Sequence, residues 1–159
     1  MNDEGLRYVK TAGDDVAGFL TLLREKTGDY LRPTLRSMGM TWTEFEEMFR
    51  SVGEVRAIRQ GTVTVGFIWI EMRGSTLHLH GLALEPEFRR QGIGSRVLSD
   101  LEDEFRGRAE TIELGVHRSN DRARRLYERF GFRKVRSAPG VEFDVLQKRL
   151  RRGSPADEP

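Results

Sequence analysis

An α/β fold built around a mixed sheet is what this 159-residue chain predicts. Three observations carry that reading. Some segments repeat apolar residues at helical spacing, while others concentrate Val, Ile, Thr and aromatics in short runs, so both periods are present. Three strand-type runs follow one another across tight turns in the middle of the chain, which implies antiparallel hairpins. Helix and strand then alternate, so the order βααβββαβαββ predicts a mixed sheet with helices packed on it.

The elements justify themselves in order. Leu6 to Thr11 suits a first strand, and Val16, Phe19, Leu20 and Leu23 recur at helical spacing over about Asp15 to Lys26. Residues 28 to 52 read as helix in pieces, broken near Pro33 and Gly39. Thr43-Glu44-Phe45-Glu46 has capping-box spacing and predicts a helix start. Glu54 to Arg59, Thr62 to Arg73 and Ser75 to Leu84 are the three strands, parted by Gly61 and by Arg73-Gly74-Ser75. Ile93, Val97, Leu98, Leu101 and Phe105 share one helical face, ending near Gly107. Thr111 to Val116 is a short apolar strand. Ala123, Leu126, Tyr127 and Phe130 mark a further helix stopped by Gly131, and Phe132 to Val135 and Val141 to Leu150 close the sheet.

Composition bounds the function. The length suits one domain over residues 1–150, and the polar segment RRGSPADEP at 151–159 reads as a disordered tail. No apolar run approaches the roughly 20 residues of a membrane span, and MNDEGLRYVK lacks the apolar region of a secretory signal. A cytoplasmic protein without membrane partners is expected. Cysteine is absent, which excludes disulfides, thiolate metal sites and a cysteine nucleophile. The net charge of +2, from 27 basic and 25 acidic residues, is too small to indicate nucleic-acid binding. The basic run from Arg118 to Arg136 reads first as a solvated helix face.

The run Glu85-Pro86-Glu87-Phe88-Arg89-Arg90-Gln91-Gly92-Ile93-Gly94 links a strand directly to a helix. A helix N-terminus exposes unpaired N–H groups at the positive end of its dipole. Two glycines let an anion approach those amides closely, and Arg89 and Arg90 add positive charge at the mouth. A dinucleotide fingerprint would need a third glycine where Val97 stands, and the Gly-Lys-Ser/Thr of a P-loop is absent. A tight surface turn without a ligand is the alternative.

This loop resembles the acetyl-CoA loop of the GNAT superfamily of N-acetyltransferases, Arg/Gln-x-x-Gly-x-Gly/Ala, met by Arg89, Gly92 and Gly94. A second match is Arg118-Ser119-Asn120-Asp121-Arg122-Ala123 followed by Leu126-Tyr127 and Gly131-Phe132. The resemblance covers roughly residues 6 to 150 and implies a mostly antiparallel central sheet with helices on both faces. It implies that the backbone of Leu82, Ala83 and Leu84 bonds the pantetheine arm. Amides of Arg90, Gln91, Gly92, Ile93, Gly94 and Ser95 would hold the pyrophosphate, and Asn120 would contact the pantetheine end or the acetyl side. Tyr127 would protonate the leaving thiolate; by itself it could equally be a core aromatic. Part of the basic run could meet the adenosine phosphate.

Two of the three histidines stand in Leu77-His78-Leu79-His80-Gly81-Leu82. On a regular strand 78, 80, 82 and 84 share one face. A metal would need further ligands, and His117, Glu71 and Glu85 have no recognisable metal spacing. Satisfied core histidines and a proton-handling pair remain. Acetyl transfer needs a neutral amine. Deprotonating a lysine-like amine at pH 7 costs about 4.6 kcal/mol, and an α-amine of pKa near 8 about 1 to 1.5 kcal/mol. Histidine can accept that proton. The His-x-His strand resembles the arylalkylamine N-acetyltransferases, while the Asn120 segment resembles the ribosomal-protein alanine N-acetyltransferases. The resemblance therefore implies an enzyme transferring acetyl from acetyl-CoA, without a metal, to a small amine or a protein N-terminus. The protein would be a monomer or homodimer. A non-catalytic acyl-CoA sensor would need the loop alone. Tyr30, Trp42, Phe45 and Phe49 could floor an apolar acceptor pocket or simply pack helices, and Glu44, Glu46 and Glu47 suit an exposed, capped helix turn.

Overall fold

The computed structural model describes residues 5–150 apart from 12, 27, 139 and 141. The 151–159 tail and the Tyr30 side chain lie outside the described part. The first half of the described chain runs through β1 (Leu6–Lys10), α1 (Gly13–Thr21), a π-helical turn (Leu22–Lys26), α2 (Gly28–Met38), α3 (Trp42–Ser51) and β2 (Glu54–Gln60). It continues through β3 (Val63–Arg73), β4 (Thr76–Leu84), α4 (Ile93–Phe105), β5 (Thr111–His117), α5 (Asp121–Arg129), β6 (Arg133–Ser137) and β7 (Phe143–Arg149). The strands form one sheet in the order β1-β2-β3-β4-β5-β7-β6. Every neighbouring pair is antiparallel except β4 and β5.

Helices cover both faces. On one, Val97, Leu98, Leu101 and Phe105 of α4 bury against Ile68, Ile70, Leu77, Leu79 and Ile112, with Leu126 and Tyr127 of α5 packed alongside. On the other, Phe19, Leu22, Leu35, Phe45 and Phe49 bury against Ala57, Phe67 and Trp69. Residues 65–70 of β3 are buried without interruption, as expected of a central strand covered twice. Among the described residues no helix is long and apolar enough to cross a membrane.

Three sequence expectations are corrected. Pro33 lies inside α2 rather than breaking it. It sits at the middle of the helix and forfeits one N–H bond, while Leu31 and Leu35 on the same helix pack into the core beside it. The stop comes at Gly39, whose φ of 66° lets Met40 N–H reach back to Leu35 O at 2.9 Å. The capping box of α3 is Thr41 with Glu44, two residues earlier than expected. Thr41 Oγ1 accepts from Glu44 N–H at 3.1 Å, and Glu46 instead accepts from the Trp42 indole.

The third correction concerns β4. Ile70 pairs with Leu79 but Trp69 pairs with Gly81, so His80 is an extra residue in a bulge. The bulge reverses parity. Leu77 and Leu79 share the α4 face with Leu82 and Leu84, while Ala83 faces the other core. His78 therefore does not share a face with Leu82 and Leu84.

Gly66 sits at the open end of the same hairpin with no room to spare. A Cβ there would meet Ala83 O at 2.1 Å and Leu84 Cα at 2.9 Å, both backbone atoms. Gly66→Ala is expected to destabilise the fold by roughly 3 kcal/mol, the upper end of overpacking costs. Urea unfolding measures this, and a midpoint equal to the parent's would refute it.

Candidate active site

β4 and β5 pair only from Thr76–Thr111 to Leu79–Leu114. Beyond that point no ladder joins them among the described residues, while β5 stays paired with β7 as far as His117. A cleft of about 500 Å³ lies there, lined by residues 78–83 of β4, residues 113–117 of β5, and Asn120, Ala123 and Tyr127. Its far wall is apolar and comes from the π-helical turn, α2 and α3, with Trp69 below. The divergence leaves one backbone edge of Leu82–Leu84 without a strand partner. Arg89 Nε donates to Leu84 O at 3.0 Å at the end of that edge.

His78 and His80 both border the cleft, their rings stacked with centroids 5.8 Å apart. Each meets a carboxylate from a neighbouring strand. His78 Nδ1 lies 3.1 Å from Glu113 Oε2 on β5, and His80 Nε2 lies 2.9 Å from Glu71 Oε1 on β3. A carboxylate can only accept, so each contact favours the proton on the contacting nitrogen. That leaves a lone pair on Nε2 of His78 and on Nδ1 of His80. The arrangement is a polar row across the sheet: Glu71 is opposite His78, His78 opposite Glu113, and Glu113 opposite Gln147 of β7.

Neighbouring donors and cations hold both carboxylates ionised. Burial works to raise Glu113, but Gln147 Nε2 donates to it at 2.9 Å and Arg136 at 3.1 Å, and with the His78 charge they hold it below the usual carboxylate range. The His80 hydrogen bond lowers Glu71 against the opposing effect of burial, helped by Arg73 at 2.7 Å. Burial pushes the His78 imidazole below its ordinary value; Glu113 and Glu71 oppose this, while Arg73 and His80 add to it. The neutral form of His78 is thus favoured.

Tyr127 of α5 lines the cleft from the other side and packs edge-on against Phe132 at 5.8 Å. Burial pushes its phenol up to about 12, so it keeps its proton across the physiological range. Asn120 caps α5, its Oδ1 accepting from Ala123 N–H at 3.2 Å, and it also lines the cleft. His117 is a third histidine on the cleft, with Nδ1 2.7 Å from Ser119 Oγ.

The glycine loop enters α4 through two left-handed residues. Gly92 caps α4 with φ 79°, Arg90 is also left-handed at φ 62°, and a Cβ on Gly92 would meet nothing within 4 Å. The first N–H groups of α4, from Ile93, Gly94 and Ser95, have no partner within the helix. Gln91 bonds back to Glu87 O at 2.7 Å. The Arg89 side chain is not aimed at the loop. It spans Leu84 O and Lys26 O, tying β4 to the π-helical turn, and Lys26 and Glu85 pair at 2.9 Å beside it.

Other sequence candidates resolve differently. Of Trp42, Phe45 and Phe49, Phe45 alone reaches the cleft; Phe49 is core. Glu44 is spent on the helix cap. Arg118, Arg124 and Lys134 converge on buried Asp144, whereas Arg122, Arg125 and Arg129 line an open depression on α5. Sequence reading missed Glu113 altogether and considered Glu71 only as a metal ligand. A glutamate between Ile112 and Leu114 was the available signal, since a charge inside an apolar strand requires a partner.

The acetyltransferase (GNAT) family matches residues 2–132. The N-alpha-acetyltransferase RimI of Mycobacterium tuberculosis is 35% identical over 81 residues, 48% of this chain and 50% of that protein. The ribosomal protein bS18-alanine N-acetyltransferase of Escherichia coli K12 is 40% identical over 58 residues, 36% of this chain and 39% of that protein. The chain therefore spans half or less of the curated relatives it matches. Among solved structures, an acetyltransferase from Thermus thermophilus superposes with a TM-score of 0.72 at 15% identity, covering 94% of this chain and 100% of that one. A GNAT family acetyltransferase from Elizabethkingia anophelis with acetyl-CoA bound gives 0.69 at 19% identity, covering 94% and 100%. At these identities the structural matches establish the fold.

Proposed function

The chain belongs to the acetyltransferase (GNAT) family, and on that premise we propose that it transfers an acetyl group from acetyl-CoA to the α-amine of a protein or peptide N-terminus. The observation that carries the reading is the carboxylate-backed histidine pair facing Tyr127 across one cleft. A sensor that only bound acyl-CoA would need neither.

The residues present suit the donor. The left-handed Gly92 and the first amides of α4 fit a pyrophosphate. The unpaired edge of Leu82–Leu84 fits an extended arm carrying amides, which can bond to it as a strand would. When bound, acetyl-CoA supplies a thioester whose carbonyl carbon is open to an amine. The chain contains no cysteine to carry the acetyl group, so transfer is direct within a ternary complex.

The remaining chemistry belongs to the side chains. The lone-pair nitrogens of His78 and His80 take the amine's proton, directly or through water. Glu113 and Glu71 hold the rings and stabilise the imidazolium that forms. Backbone donors near Leu82–Leu84 polarise the carbonyl, and Tyr127 Oη donates its proton to the departing thiolate. An imidazole lowered by burial is a weak base. It suits an α-amine of pKa near 8 far better than an alkylamine near 10.4. The names of the two curated relatives, an N-alpha- and an alanine N-acetyltransferase, support the same acceptor.

Incubation with acetyl-CoA and N-terminal peptides should release thiol and add one acetyl group at the peptide α-amine, read by mass spectrometry. Tight CoA binding with no turnover on N-terminal peptides, arylalkylamines, polyamines or aminoglycosides would instead favour the sensor.

A further inference from the structure

The acceptor half of the cleft carries more information than its position. Leu31, Leu35 and Met38 occupy one face of α2 at spacings of four and three residues, and Met40, Phe45 and Met48 continue the wall. Trp69 forms the floor, and its ring lies 4.9 Å from that of His80, so the apolar surface begins directly beside the proposed base. Among the described residues no lysine or arginine lines the cleft, and the one lining carboxylate is Glu113, already engaged with His78, Gln147 and Arg136.

Resting on the acetyl-transfer reading above, we propose that the acceptor is a polypeptide whose first residue has a large apolar side chain such as Met, Leu or Phe. The α-amine then meets His78 and His80 while the side chain leaves the same Cα towards Trp69 and the α2–α3 wall. An alanine methyl would leave most of that wall facing water. A free amino acid would bring a carboxylate with no cation to receive it, and a polyamine a second ammonium with no free carboxylate. The three methionines give the wall unbranched, adaptable side chains, suited to several apolar shapes rather than one. Met38 stands at the rim, 45% exposed, where a longer side chain would cover it. The expected selectivity thus departs from the alanine acceptor in the name of the E. coli relative.

The test uses the full chain and a peptide series differing only in residue one: Ala, Ser, Lys, Met, Leu and Phe. 2-Phenylethylamine serves as a small apolar amine. Expected is a kcat/KM for Met, Leu and Phe peptides roughly tenfold to a hundredfold above Ala and Ser, with 2-phenylethylamine poorer than the Phe peptide. Calorimetry on protein saturated with CoA, where no transfer can occur, should give tighter binding and a more negative ΔCp for the Phe than the Ala peptide. Met38→Glu, at an exposed site, should narrow the Phe-to-Ala ratio and raise the Lys peptide.

Ala or Ser peptides used as well as Phe would overturn this selectivity while leaving acetyl transfer intact. A small amine outperforming every peptide would overturn the polypeptide acceptor. Phe-selective binding without turnover would support the wall assignment and sink the transfer reading. Neither binding nor turnover would remove both.

Discussion

Tyr127→Phe is expected to lower kcat by about 10²- to 10⁴-fold, the range a positioned general acid contributes. The fold should tolerate the change. The ring packs edge-on against Phe132, and phenylalanine preserves that contact. Burial alone raises the phenol to about 12, so it remains protonated wherever the enzyme works and no alkaline limb should come from it below that value. The KM for acetyl-CoA should change little, because the hydroxyl acts on the departing sulfur rather than on the bound donor. A synthetic acetyl thioester with a more acidic thiol needs less help in leaving, and should recover much of the lost rate. An undiminished kcat, with an unchanged melting temperature, would leave Tyr127 as a core aromatic.

The parts of this site visible in the sequence are those encoded by local backbone demands. Gly92 and Gly94 mark the α4 entry because Gly92 is a left-handed cap and a Cβ on Gly94 would stand 3.3 Å from Leu126 Cδ2. Asn120 and Gly131 bracket α5 for the same kind of reason. The hidden parts are those that depend on pairing. The bulge at His80 leaves no mark in Leu77-His78-Leu79-His80, where the alternation looks unbroken, yet it decides which face each histidine shares. Glu113 lies 35 positions from His78 and meets it only because β5 pairs parallel to β4. α2 was obscured for a different reason. Pro33 argues locally against a helix, and the apolar burial of Leu35 overrides it. Tertiary packing thus supplied both the apolar wall of the cleft and the carboxylate partners, and these are the two features on which the proposed chemistry rests.

The second large effect is expected at the histidine pair. His78→Ala with His80→Ala should reduce kcat by about 10²- to 10⁴-fold, and the loss should depend on pH. His78 must be neutral to accept a proton, and burial sets its pKa below the ordinary 6.5. The parent's kcat should therefore rise as pH increases through a value under 6.5 and then level off. kcat/KM should rise further, through the pKa near 8 of the free α-amine. The double variant should lose the first limb and keep the second, since the α-amine must still be unprotonated to attack the thioester.

Glu113→Gln separates the carboxylate's part from packing. Glu113 faces His78 from β5, while Glu71 and Arg73 on β3, His80 on β4 and Arg136 on β6 complete its charged surroundings. Removing one negative charge takes away a force that raises the His78 pKa. The acid limb should thus move to still lower pH while the plateau falls, because a weaker base remains. Ring ¹⁵N shifts should also register loss of the Nδ1–H preference that the 3.1 Å contact imposes. Glu113→Asp, keeping the charge at a longer reach, should recover part of both. If activity across pH 6 to 9 is the same in the double histidine variant as in the parent, the pair handles no proton. The row Glu71-His78-Glu113-Gln147 would then be a cross-strand ladder that stabilises the sheet.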